Sequence, residues 1–128
     1  MYTIIVSFFN DGVGMEKKIE IGWLLEFYGK LLTDKQQNIM SLYFNEDIGL
    51  SEIGDMMGVT RQAVRDIISR SEKLLYDYES KLGLLQQFKH TSSLLKEISK
   101  KIQNLDGNEE EKELITQDMN RLIEMWEE

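Results

Sequence analysis

Residues 51–70 read SEIGDMMGVTRQAVRDIISR, and the fold turns on how this stretch is read. A short segment carries apolar Ile53, Met56 and Met57 toward a core and stops at Gly58, a residue that takes positive φ without steric cost. Ser51 is the expected cap of that segment, a helix over 52–57. Val59 then plugs the interface, and Thr60 has the side chain of a helix cap. Gly54 is small where two helices have to cross closely. Val64, Ile67 and Ile68 recur at helical spacing and anchor the second helix to the first. Two helices joined by so tight a turn make a helix-turn-helix.

The other face of the second helix has the chemistry of a nucleic-acid reader. Arg61 and Gln62 fall in its first turn, where side chains reach base edges. Arginine meets guanine and glutamine meets adenine with two hydrogen bonds each. Arg65 follows one turn later, and Ser69, Arg70 and Lys73 are placed to hold phosphates. The charge is modest. Residues 58–75 carry four basic groups against the acids Asp66 and Glu72, and Glu52 and Asp55 bring 51–75 to neutrality. Asp66 and Glu72 are expected to pair with Arg70 and with neighbours along the helix. The whole chain has a net charge of −8. Because phosphate neutralisation supplies most non-specific affinity, such a chain is a weak or partner-dependent reader.

Upstream, the periodicity predicts a helix over 16–29 with Ile19, Trp23, Leu24 and Phe27 inward. A second helix is predicted over 34–44, with Ile39, Met40, Tyr43 and Phe44 inward. Thr33 and Gln36 form a capping-box pattern at its start. Downstream, the recognition helix runs to about Lys81, with Leu74, Leu75, Tyr78 and Leu82 on its core side. From there Leu84, Phe88, Thr91, Leu95, Ile98, Ile102 and Leu105 alternate at spacings of four and three, as in a coiled-coil seam. LDGN (105–108) reads as a turn, Asn108 as a cap and Glu111 as its capping-box partner. Leu114 or Ile115, Met119, Leu122 and Trp126 give a return face. The expected fold is all-α, with a helix-turn-helix domain over 15–82 and a helical hairpin over 83–128.

Residues 1–14, MYTIIVSFFNDGVG, stand apart. They lack the basic start and small-residue cleavage site of a signal peptide. Gly12 and Val13 can be encoded by GGA GTG, a purine-rich stretch placed like a ribosome-binding site before the Met15 codon. The segment reads as a translated leader with the true start at Met15, or as an apolar arm that docks on a partner.

Composition narrows the functional classes. There is no proline and no cysteine, which favours helices and excludes disulfides and cysteine-ligated metals. No apolar run has the length of a membrane span, so no membrane insertion and a cytoplasmic location are expected. No phosphate-binding glycine loop, nucleophile motif or metal cluster is present, so neither an enzyme nor a cofactor is expected. His90, the one histidine, reads as a helix-surface residue.

Residues 31–75 resemble region 4 of bacterial sigma factors, a helix-turn-helix that reads promoter DNA. They are more similar to the YlxM family of small bacterial helix-turn-helix proteins. The family's TDKQ corresponds to Thr33–Gln36, its SLSEIAEEFGISRQAVRDII to Gly49–Ile68 and its SEKLL to Ser71–Leu75. The resemblance runs from Met15 to about residue 105. Gly54 departs from it, since the family usually has alanine there. Family genes lie beside those of the signal recognition particle GTPase and its receptor, so the resemblance implies a role in that targeting pathway. DNA or the particle's RNA is the implied ligand. The alternative is a protein-interaction module, with the helix-turn-helix as scaffold, whose acidic C-terminal hairpin docks on the targeting GTPase or on a second copy; the GTPase or its receptor is the implied protein partner. A homodimer is expected, with the seam at 84–105 filled within the hairpin or across two chains.

Overall fold

The computed structural model describes residues 16–125, and every regular element among them is helical. The elements are α1 (Lys17–Tyr28), a 3-10 turn (Gly29–Leu31), α2 (Asp34–Phe44), α3 (Leu50–Met57), α4 (Arg61–Leu82), α5 (Leu84–Gln103) and α6 (Glu109–Met125). The chain is all-α, as expected. It divides into two compact units, one reaching to Leu85 and one beginning at Gln86. The leader or arm at 1–14 and the return-face residue Trp126 lie outside the described residues. None of the described helices is long and apolar enough to cross a membrane.

In the first unit α4 is the centrepiece, packed against α1, α2 and α3. Ile21, Trp23, Leu24 and Tyr28 of α1 meet Ile39 and Met40 of α2, Ile53 of α3, and Val64 and Leu75 of α4 in a core closed to solvent. The α1 face differs from the expected one. Ile21 and Tyr28 are buried, while Ile19 and Phe27 are half-buried. This helix touches both α2 and α4, so it buries two sides and a single apolar stripe does not describe it.

The caps follow side-chain chemistry. Thr33 Oγ1 accepts from the Gln36 N–H at 3.2 Å, and Gln36 Oε1 accepts from the Thr33 N–H at 3.1 Å, so two unpaired helix-start donors are satisfied reciprocally. The start of α3 is earlier than expected. Gly49 is its N-cap, and Ser51 sits inside the first turn without capping it. Leu50 continues the helical path, which leaves no room for a cap at 51. Only Ile53 and Gly54 of this short helix are buried, and Met56, expected in the core, is exposed. In α2, Leu42 is buried while Tyr43 and Phe44 are half-buried.

The α4–α5 junction is pinned by a small polar knot. Gly83 reverses the chain at φ 65°. The Tyr28 hydroxyl donates to Glu79 Oε1 at 2.7 Å and accepts from the Leu84 N–H at 3.1 Å. Glu79 Oε1 also accepts from the Leu85 N–H at 2.9 Å. A carboxylate thus sits at the positive end of α5, where the helix dipole favours it.

The second unit is thinner. Leu95, Ile102 and Met119 form its small buried cluster, with Ile123 packed against it. The buried stripe of α5 is Leu85, Phe88, Ser92, Leu95 and Ile102, with Ser99 half-buried in register. It shares Phe88, Leu95 and Ile102 with the expected seam but is rotated from it, so Ile98 and Leu105 are exposed. On α6 the return face is Met119 and Ile123, whereas Leu114, Ile115 and Leu122 are exposed. Asn108 Oδ1 accepts from the Glu110 N–H at 2.9 Å, the expected cap.

Candidate nucleic-acid interface

The turn before α4 is built from backbone geometry. Gly58 sits in the left-handed region at φ 69°. Its N–H and that of Val59 both return to the Gly54 carbonyl. A Cβ on Gly54 would lie 2.7 Å from the Val59 carbonyl oxygen, a backbone atom with little freedom to yield. The absent side chain therefore lets α3 lie against the turn. Thr60 Oγ1 accepts from the Ala63 N–H at 3.1 Å and starts α4 where Arg61 becomes its first residue.

Val64, Ile68, Ser71 and Leu75 form the buried stripe of α4. At about 100° per residue, Gln62, Asp66, Ser69 and Lys73 point directly away from it. Arg61 and Arg65 lie on one shoulder of that outer face. Arg70 lies about 140° of arc from Arg65, on the opposite shoulder. There it lines a shallow cleft with Gln36, Lys73, Leu74 and Asp77. All six expected residues, Arg61, Gln62, Arg65, Ser69, Arg70 and Lys73, are exposed; Arg65 and Arg70 stand on opposite shoulders, and Arg70 lies beside Lys73.

Neither acid pairs with Arg70, and only Asp66 engages a neighbour along the helix. Asp66 accepts from the Gln62 amide at 3.1 Å, and Glu72 pairs with Lys17 of α1 at 3.3 Å. Arg61, Arg65, Arg70 and Lys73 make no ion pair with the described residues. Glu72 is thus drawn away by a basic group distant in sequence, while Asp66 stays at the centre of the outer face and engages the glutamine. The four-residue spacing of Gln62 and Asp66 is itself a signal for their contact. The Lys17–Glu72 pair crosses between helices and has no such local signal.

Tyr76, one turn below Lys73, donates to Glu20 at 2.8 Å. Burial, reinforced by Glu20, pushes its phenol up to about 12. Burial and the Glu79 carboxylate likewise raise Tyr28. Both tyrosines tie α1 to α4 as neutral donors.

A family model described as "Putative helix-turn-helix protein, YlxM / p13 like" matches residues 15–117. The chain belongs to this YlxM-like family. Its similarity to individual members is even. A family protein of Clostridium acetobutylicum is 39% identical over 99 residues, covering 77% of this chain and 85% of that protein. One from Shouchella clausii is 47% identical over 88 residues, covering 69% and 81%. One from Desulforamulus reducens is 45% identical over 95 residues, covering 74% and 79%. The YlxM-like match takes in the turn, all of α4 and its basic residues, as well as α5 and the first half of α6.

Proposed function

We propose that this YlxM-like protein is a regulatory or accessory DNA-binding protein of the signal recognition particle pathway, reading duplex DNA through the outer face of α4. The observation that carries the reading is the exposure of Arg61, Gln62, Arg65, Ser69 and Lys73, with the three cations unneutralised, directly after a helix-turn-helix turn. Arg61 and Gln62 reach bases, Arg65 follows along the groove, and Ser69 and Lys73 hold the backbone. Arg70, on the opposite shoulder, reaches a flanking phosphate. DNA is favoured over the particle's RNA because the major groove of an RNA duplex is too deep and narrow for a helix. The link to the targeting pathway rests on the family resemblance, not on any residue of the surface.

Gel-shift titration against the promoter of the protein's own operon and against the particle's RNA, at two salt concentrations, tests this. Arg61→Ala and Arg65→Ala are each expected to cost about 1–3 kcal/mol of specific DNA binding. Lys73→Ala weakens all sequences alike and lowers the salt slope by about one. Binding that ignores salt, or that survives both arginine substitutions, overturns the assignment.

A further inference from the structure

The hairpin of the second unit carries a surface that its own fold does not use. Leu94 and Ile98 are each 45% exposed, Leu105 60% and Leu122 48%, with Ile115 similar. These residues share one side. The groove between α5 and α6 on the other side is flanked by Lys96, Ser99 and Lys100 of one helix and Thr116 and Asn120 of the other, around the apolar Leu95, Met119 and Ile123. At about 100° per residue, Leu94 and Ile98 lie on the other side of the buried stripe of α5 from those groove residues, and Leu105 is exposed in the turn that follows. Ile115 and Leu122 lie correspondingly on α6. The two sides of the hairpin thus differ: exposed leucines and isoleucines stand on one, while on the other lysines, Thr116 and Asn120 border the small core. A two-layer arrangement is what buries such a face.

Charge selects the occupant. On the apolar side α5 presents Lys101, with Glu97 turned further round to the flank. On the same side α6 presents Glu111 and Asp118, and among the described residues the only ion pair of these three is an exposed 3.7 Å contact between Asp118 and Arg121. One edge of the face is therefore basic and the other acidic, at matching heights along the hairpin. A second copy turned over about an axis parallel to the helices sets α5 on the partner's α6, running antiparallel. Lys101 of each copy then falls between Glu111 and Asp118 of the other. The alternative two-fold, with α5 on α5 and α6 on α6, sets the edge that carries Glu111 and Asp118 against the same acidic edge of the other copy. The face is about 30 Å long and about 20 Å wide, or about 600 Å², at the lower end of the roughly 600–1,000 Å² per partner of standard stable interfaces.

We infer that the apolar side of the α5–α6 hairpin is a self-association face, on which two copies pair as an antiparallel four-helix layer with Lys101 of one beside Glu111 and Asp118 of the other. This goes beyond the proposed reading of DNA and holds whatever α4 recognises. Its experiment involves no nucleic acid.

Light scattering across a concentration series on the full chain is expected to show a dimer. Ile98→Asp with Leu122→Asp is expected to yield a monomer of unchanged helical circular dichroism. Lys101→Glu weakens the dimer at least tenfold, and adding Asp118→Lys restores it. Because the chain has no cysteine, Lys101→Cys and Asp118→Cys single variants can be mixed under mild oxidation. They are expected to cross-link to each other far more than to themselves. A wild-type chain that is monomeric throughout the series overturns the inference. So does a dimer indifferent to Lys101→Glu, or cross-linking dominated by Lys101→Cys with itself. A chain started at Met15 that dimerises while the full chain does not assigns the face to residues 1–14 instead. Retention of a purified targeting GTPase at the cost of the dimer assigns it to that partner.

Discussion

The two units spend their apolar residues differently. In the first, three helices enclose much of α4, and Trp23, Tyr28, Ile39, Ile53, Val64 and Leu75 are closed to solvent. In the second, two helices share a cluster of three buried residues, and comparable leucines and isoleucines remain outside. The first has the anatomy of a self-sufficient domain. The second has the anatomy of half of one. The contrast lies not in composition but in the number of helices that converge on a seam, since a pair of helices can hide only one stripe each.

Truncation separates the two most sharply. Leu75→Ala removes a fully buried side chain from beneath α4 and is expected to cost about 2–5 kcal/mol by urea unfolding. Leu122→Ala, on the open hairpin face, is expected to cost less than about 1 kcal/mol at concentrations too low for association. Equal losses at the two positions would erase the distinction. A smaller effect comes from the knot where the first unit ends. Tyr28→Phe leaves the Leu84 N–H and one Glu79 bond without the hydroxyl, and is expected to cost about 1–3 kcal/mol. Amide exchange at the start of α5 should quicken with it, and an unchanged rate at Leu84 would show that the knot does not hold the junction. The smallest effect is alkaline. A tyrosine whose pKa is raised on folding stabilises the fold fully below its ordinary value of 10, and that contribution is lost as pH climbs to about 12. Stability should therefore fall between pH 10 and 12, less so in Tyr76→Phe, with the loss confined to the first unit.

What was legible in the sequence follows from the range of the interactions. Gly58, Thr60 and the Thr33–Gln36 box act within four residues, so type and spacing reveal them. The family pattern lies over the same local chemistry. The α5 seam was half legible, because Leu84 and Leu85, and again Leu94 and Leu95, are adjacent leucines that allow two stripes. Ser92 and the half-buried Ser99 complete the stripe that is used, and a hydropathy pattern gives small polar residues no weight. Ser51 looked like a cap because serine usually is one, yet Leu50 had already entered the helix. On the candidate surface the basic residues were plain. The removal of Glu72 by Lys17 was not, since 55 residues separate the pair in the chain.

Asp66 has a consequence for how a reader of DNA would partition in a cell. A carboxylate at the middle of the outer face repels every phosphate alike, so it lowers the affinity for arbitrary sequence across a whole genome of competing sites. If α4 is the proposed reader, the same carboxylate would offer an acceptor to a cytosine amino group, and its bond to Gln62 would give way where an adenine offers the glutamine two bonds instead. A DNA reader with such a residue would forgo occupancy at most sites and gather at few addresses.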